Sequence, residues 1–455
     1  MDNTSALPKL EPRRHHRIDV TQQEGAQGIR QFGFLPGGRY LMIAHRNGVF
    51  ACWDTLQGSG VKLAEHRTAE ILGWNFHMTM DNAGVIVVLV TRRWLNEYWL
   101  VALRYKFSQG GAVPLELEEL ATIRAPFACP MIQIQDGHIW SPGYLGDDQL
   151  LLFVWNFIDK CHVLINTGIR HFPAQWDSFS YARHGIMLYR EDAGSAYTYW
   201  YDSATTLLEE VPTSDHPDMD TTESSRLRRP DGDRVYNFAE DCILGGHRSI
   251  CFVAHALGTP NYSHDTVAPV SVLSISRGHH SRPGASQREA ELAMIGMGYS
   301  HLTITQHWFN PGQEIYAASL NSPGKSTDMR ESSSPLHRWI HHIPGHTGPG
   351  GRHIPCIGSH GTHMLWLRRY NQLNPQTNEQ EQETFRLSIA TLLPMREASD
   401  LSEIAIRDVC VERGAGFGLN LEDVSCMDIE DSHSVIGLAV TSDDTDSDYI
   451  HLLYL

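Results

Sequence analysis

FLPGGRYLMIAHRNGVFACWD, residues 34–54, is a β-hairpin spelled out in turn chemistry. Pro36, Gly37 and Gly38 supply turn dihedrals, residues 40–44 form an apolar extended run, Asn47-Gly48 is a preferred tight-hairpin dipeptide, and residues 49–53 run back to Trp53-Asp54. No catalytic group stands out in this stretch. If the hairpin recurs along the chain, the fold is a repeat of small antiparallel sheets and function lies on the loops between them.

The hairpin does recur. Residues 84–91 and 97–105 are β-branched and aromatic runs on either side of a turn, and 185–190 and 195–201 form a second pair with Tyr197, Tyr199 and Tyr201 alternating on one face. Further pairs are 249–255 with 270–277, 362–368 with 385–392, and 435–441 with 449–455. Runs at 130–140, 149–157, 161–165, 301–308, 314–320 and 337–343 extend the pattern without fixing their partners. Helical periodicity is weak throughout, with short candidates only at 286–294 and 395–406.

This pattern predicts an all-β chain. Sequential hairpins suit up-and-down sheets better than the Greek-key crossovers of two sandwiches, so the expected fold is a β-propeller of seven blades, with six or eight as the alternatives. The expected layout is a disordered segment over 1–16 and a single domain over 17–455. Long polar loops are expected near 213–235, 278–290, 321–335, 344–361 and 371–383. A closed ring places the 34–54 hairpin in the inner part of the first complete blade, with 18–21 or 449–455 fastening the ends.

Composition narrows the function. A chain of 455 residues with 41% hydrophobic side chains has ample core, and a net charge of −17 argues against nucleic acid as partner. The eight cysteines are scattered with no C-x-x-C pair, as expected of thiols in a reducing compartment. Residues 1–20 lack a signal-peptide apolar core, and no apolar run reaches the roughly 18 residues of a membrane span. The expectation is a monomeric cytoplasmic or nuclear protein that does not enter membranes.

The opening hairpin resembles a WD-repeat. The run from Pro36 to Leu41 is similar to S-P-D-G-R-x-L, Arg46-Asn47-Gly48 to x-D-G, and Cys52-Trp53-Asp54 to the closing x-W-D, with Gly37 for the usual Asp and His45 for the usual small residue. Val154-Trp155-Asn156 and Tyr199-Trp200-Tyr201-Asp202 are fainter copies. Together with the long polar insertions, the chain resembles the propeller halves of fungal F-box-like proteins, although no F-box precedes Gly33. That resemblance implies a recognition or scaffold role.

Candidate chemistry is sparse. Seven histidines fall between 337 and 363: His337, His341, His342, His346, His353, His360 and His363. Imidazoles at such density suit zinc or copper, but glycine and proline punctuate the segment and remove the helical geometry of H-x-x-x-H, so solvated loop histidines are expected. Asp443, Asp444, Asp446 and Asp448 begin like a calcium loop but meet Tyr449 and Leu455 where glycine and glutamate belong. Ser359, in Gly358-Ser359-His360-Gly361, has no helix after it to make a nucleophile elbow, and Gly414-Ala415-Gly416-Phe417-Gly418 has none to receive a phosphate. No catalytic, cofactor or metal residue is therefore assigned. The expected function is non-enzymatic binding of another protein by a propeller face. A channel enzyme of hydrolase or lyase type is one alternative, and a ubiquitin-ligase substrate receptor, implied by the F-box-like resemblance, is the other.

Overall fold

The computed structural model describes residues 9–21, 28–56, 60–79, 84–95, 97–107, 116–129, 131–135, 137–144, 149–170, 176–181, 185–192, 195–201, 207–208, 226–237, 248–255, 270–278, 299–309, 337–347, 356–358, 363–373, 380–391, 406–411, 419–442 and 447–455. Among the described residues the strands form seven sheets. Sheet I holds Ile29–Phe34, Tyr40–His45, Val49–Asp54 and Val61–Arg67; sheet II holds Glu70–Met78, Gly84–Trp94, Glu97–Lys106 and Glu116–Ala125. Sheet III is Gln133–Gln135, His138–Tyr144, Gln149–Asn156 and Cys161–Arg170, with Arg226–Leu227 added in parallel. Sheet IV is Trp176–Tyr181, Gly185–Asp192, Ser195–Tyr201 and Gly232–Asn237, and sheet V is Arg248–His255, Val270–Gly278, Tyr299–Phe309 and His337–Thr347. Sheet VI is Cys356–Ile357, His363–Leu373, Gln380–Thr391 and Ile406–Val409, joined by Lys9–Leu10; sheet VII is Val424–Glu430, Val435–Ser442, Ser447–Tyr454 and, from the other end of the chain, Arg14–Asp19.

Apart from these terminal and parallel additions, every sheet runs up and down in chain order. Neighbouring sheets also touch in chain order: Ile29–Phe34 meets Glu70–Met78, which meets Gln133–Gln135, which meets Trp176–Tyr181, which meets Arg248–His255. His337–Thr347 then meets His363–Leu373, Cys356–Ile357 meets Val424–Glu430, and Val424–Glu430 returns to Ile29–Phe34. Up-and-down sheets following one another in a closed circle are the organisation of a β-propeller.

The packing explains why the strands read as they do. Val85, Val87 and Leu89 point into a core shared with Met42, Ala44 and Phe50 of sheet I, while Ile86, Val88 and Val90 point into another shared with Leu151, Phe153 and Trp155 of sheet III. The run 84–91 is continuously apolar because both faces of its sheet are covered. Sheet III repeats the arrangement, with Leu150, Leu152 and Val154 turned toward Ile186 and Leu188 of sheet IV. Leu41 and Ile43 pack with Val435, Ala439, Ile450 and Leu452 of sheet VII, and that core also takes in Ile18 and Val20. Each of these apolar layers lies between two sheets, not inside one.

Several expectations are corrected. Within the segment expected to be disordered over 1–16, Lys9–Leu10 pairs along Ile406–Val409 and Arg14–Asp19 along Ser447–Tyr454. An outermost strand buries little, so polar sequence suffices there. The 34–54 hairpin supplies the second and third strands of sheet I, since Ile29–Phe34 lies inside it. The loops expected at 213–235, 344–361 and 371–383 are shortened by Arg226–Leu227 and Gly232–Asn237, by His337–Thr347 and Cys356–Ile357, and by His363–Leu373 and Gln380–Thr391. In the loop expected at 278–290, Gly278 closes a strand. The rest of it, the loop expected at 321–335, the expected strand at 314–320 and the helical candidate at 286–294 lie outside the described residues, as does 395–406 except Ile406.

Candidate recognition surface

In an up-and-down sheet the turn between the second and third strands lies at the same end as the start of the inner strand. In sheets I and II that shared end holds the turn at Arg46-Asn47-Gly48, the tip after Gly84–Trp94, and the beginnings of Ile29–Phe34 and Glu70–Met78. The Arg46 turn is held rigidly. The Arg46 amide donates to the Gly28 carbonyl at 3.2 Å, the Thr68 amide donates to the Gly48 carbonyl at 3.0 Å, and Asn47 Oδ1 accepts from the Val49 amide at 3.3 Å. Gly48 has φ +82°, and a Cβ there would stand 2.2 Å from the Thr68 carbonyl oxygen, so glycine is required.

Across the seam between the two sheets lies a groove lined by Arg30, Gln31, Arg46, Glu70 and Leu72. Glu70 is its electrostatic pivot: Arg92 donates to Glu70 Oε2 through Nε at 2.8 Å, and the Arg30 guanidinium lies 3.7 Å from Oε1. Arg30 Nε also donates to the Leu72 carbonyl at 3.1 Å, which ties sheet I to sheet II. One step further toward the tip, Arg93 stacks over the Trp99 ring at 4.0 Å from its centroid. The tip itself presents Trp94 and Leu95, which are 75% and 85% exposed, the two most exposed large apolar side chains among the described residues. This end of sheets I and II therefore combines an apolar pair with a polar groove around which Arg30, Arg46 and Arg92 gather.

The opposite end of the fold is occupied by acidic side chains with structural duties. Asp428 Oδ2 accepts from the Phe34 amide at 2.8 Å and Oδ1 from the Cys356 thiol at 3.3 Å, so one carboxyl binds sheets I, VI and VII together. Burial raises its pKa to about 6, against the opposing pull of the Phe34 amide and the thiol. Glu430 accepts from the Gly37 amide at 3.2 Å and the His433 amide at 2.8 Å. Burial works against its ionisation, but these bonds and one from the Ser432 hydroxyl hold its pKa below the ordinary value. Asp431 pairs with His363 Nδ1 at 3.0 Å. Ser432, His433 and Glu430 are mutual neighbours, yet the same His433 Nδ1 faces both the hydroxyl and the carboxylate, so no relay runs from serine through imidazole to acid.

The residues singled out in the sequence fall apart spatially. His337, His341, His342 and His346 lie on the single strand His337–Thr347, where four residues span about 13 Å of backbone, too far for the one-turn spacing of H-x-x-x-H. His363 belongs to the Asp431 pair, and His353, His360, Ser359 and 414–418 lie outside the described residues. Asp443, Asp444 and Asp446 also lie outside them, while Asp448 is 2% exposed and serves the closure: its amide donates to Thr21 Oγ1 at 3.2 Å and its carbonyl accepts from the Val20 amide at 3.0 Å. Among the described residues no group of three His, Cys, Asp or Glu side chains could hold a metal ion. No helix among them is long and apolar enough to cross a membrane. The sequence showed the turn at 92–96 but carried no signal that its apolar side chains would be left uncovered.

No protein-family model matches the sequence, and a search of curated proteins finds none similar to it. Among solved structures, the WD40 domain of SCAP from fission yeast is similar at a TM-score of 0.44 and 10% identity, covering 94% of this chain and 84% of that one.

Proposed function

We propose that the protein is a non-enzymatic recognition module, a seven-bladed propeller of WD-repeat kind that binds another protein with the end of sheets I and II described above. The observation that carries this reading is the adjacent pair Trp94 and Leu95, left 75% and 85% exposed at the tip of a hairpin whose other apolar side chains are largely buried. Exposed tryptophan beside arginine is the composition that dominates binding energy at protein interfaces. The ionisable groups at the opposite end are committed to backbone amides and to one another, which supports a scaffold over a catalyst.

Affinity purification with quantitative mass spectrometry tests it, comparing the wild type with Trp94→Ala/Leu95→Ala and with Leu56→Ala/Ile158→Ala, a pair of apolar side chains exposed elsewhere. Both variants remove exposed side chains and should melt close to the wild type. The expected result is a stoichiometric partner lost only from the first variant; no partner, or one retained equally by both, overturns the reading.

A further inference from the structure

The recognition face differs in charge from the rest of the molecule. The chain as a whole carries −17, yet Arg30, Arg46 and Arg92 gather on this surface around Glu70. Glu70 is already shared between Arg30 and Arg92, and among the described residues no carboxylate stands within ion-pair distance of Arg46, which is exposed in the groove. Its backbone is pinned by the Gly28 carbonyl and by Gly48 packed beneath Thr68 and Ala69, so a ligand that engages it orders little new chain. Arg92 stands opposite Glu70 and two residues before Trp94 on the same strand, so the Arg30–Glu70–Arg92 cluster links the groove to the apolar tip and places an anionic subsite beside an apolar one.

We propose, resting on the recognition reading above, that the bound segment is an acidic peptide containing an apolar side chain. Its carboxylates lie along Arg46 and the neighbouring arginines, and its apolar residue covers Trp94 and Leu95. The local positive cluster attracts acidic segments at short range while the overall negative charge repels polyanions such as nucleic acids at longer range. Guanidinium groups engage carboxylates in bidentate fashion, which gives the contact direction as well as energy.

The test is selection of short random peptides on the intact protein, followed by fluorescence anisotropy of the selected, labelled peptides against the wild type, Arg46→Glu, Arg46→Lys and Trp94→Ala. Arg46 is exposed on a turn, so its variants should fold. The expected result is acidic peptides with an apolar residue, binding that weakens as salt rises, a loss of at least about tenfold in Arg46→Glu, and only partial recovery in Arg46→Lys, which restores the charge but not the fork. Neutral or basic peptides that still depend on Trp94 overturn the acidic assignment and leave the recognition reading standing. Acidic peptides indifferent to Arg46 also overturn the assignment, and the absence of any peptide dependent on Arg46 or Trp94 overturns both.

Discussion

His15 Nε2 and His451 Nδ1 stand 2.9 Å apart, their rings stacked at a centroid distance of 5.1 Å, although 436 residues separate them in the chain. They sit on the two outermost strands of sheet VII, where the two ends of the chain pair, with Arg17 and His16 close by. One imidazole donates to the other only while at least one of them is neutral.

Acid should loosen this joint. Burial, then His15 and Arg17, push the His451 pKa down from 6.5 to about 4, and burial does the same to His45. An imidazole with a lowered native pKa excludes a proton that the unfolded chain accepts, so its stabilisation is complete above 6.5 and lost as pH falls toward about 4. His451→Gln should reduce the total loss of stability across that window by on the order of 1–3 kcal/mol, leaving the His45 share in place. Urea unfolding over a pH series measures it, and a slope equal to that of the wild type would refute the assignment.

Asp428 contributes with the opposite sign. Its native pKa of about 6 stands above the ordinary 3.8, so the native state holds a proton the unfolded state has released, and stability is lost as pH rises from 3.8 through about 6. Asp428→Asn removes the titration and should flatten that part of the profile. Asp428→Ala should cost about 1–3 kcal/mol at low pH, because it strands the Phe34 amide, and less above pH 6, where the wild type has lost the stability tied to its proton.

Two glycines with left-handed backbone make a controlled comparison. Gly37 has φ +94° with nothing within 4 Å of where a Cβ would stand, whereas Gly48 has φ +82° with the Thr68 and Ala69 carbonyl oxygens at 2.2 and 2.5 Å from that point. Gly37→Ala should cost only the conformational penalty of about 1–2 kcal/mol. Gly48→Ala should cost clearly more and displace the Arg46 turn. Equal losses in chemical denaturation would show that the Thr68–Ala69 contact does not hold the turn.

The parts of the fold legible in the sequence are those with local causes. Gly37, Gly38 and Gly48 announce turns because few residues adopt their dihedrals, and the run 84–91 announces a strand buried on both faces. Glu116–Ala125 gave no such signal: ELEELATIRA is charged and its strand state comes from its partner, through pairs such as Arg104 with Glu118 at 3.5 Å and Lys106 with Glu116 at 3.3 Å. The inner strands Ile29–Phe34 and Glu70–Met78 escaped for a related reason, since their neighbours are supplied by adjoining sheets. The candidate surface was legible only as a turn. Arg30, Arg46, Glu70 and Arg92 lie up to 62 positions apart by number and meet only once sheets I and II are packed. The acidic seam is less local still, because Asp428 and Phe34 are separated by 394 residues.

The proposed recognition face depends on a ring whose closing sheet is built from both ends of the chain, so closure is the central claim. Deleting residues 1–21 removes the fourth strand of sheet VII, takes the fully buried Ile18 and Val20 out of their core, and leaves Ser447–Tyr454 as a raw edge. Two buried aliphatic side chains are worth about 2 kcal/mol each, so the melting temperature should fall by at least about 5 °C, with aggregation through the exposed edge. A truncated protein that melts at the wild-type temperature would contradict the closure and the account built on it.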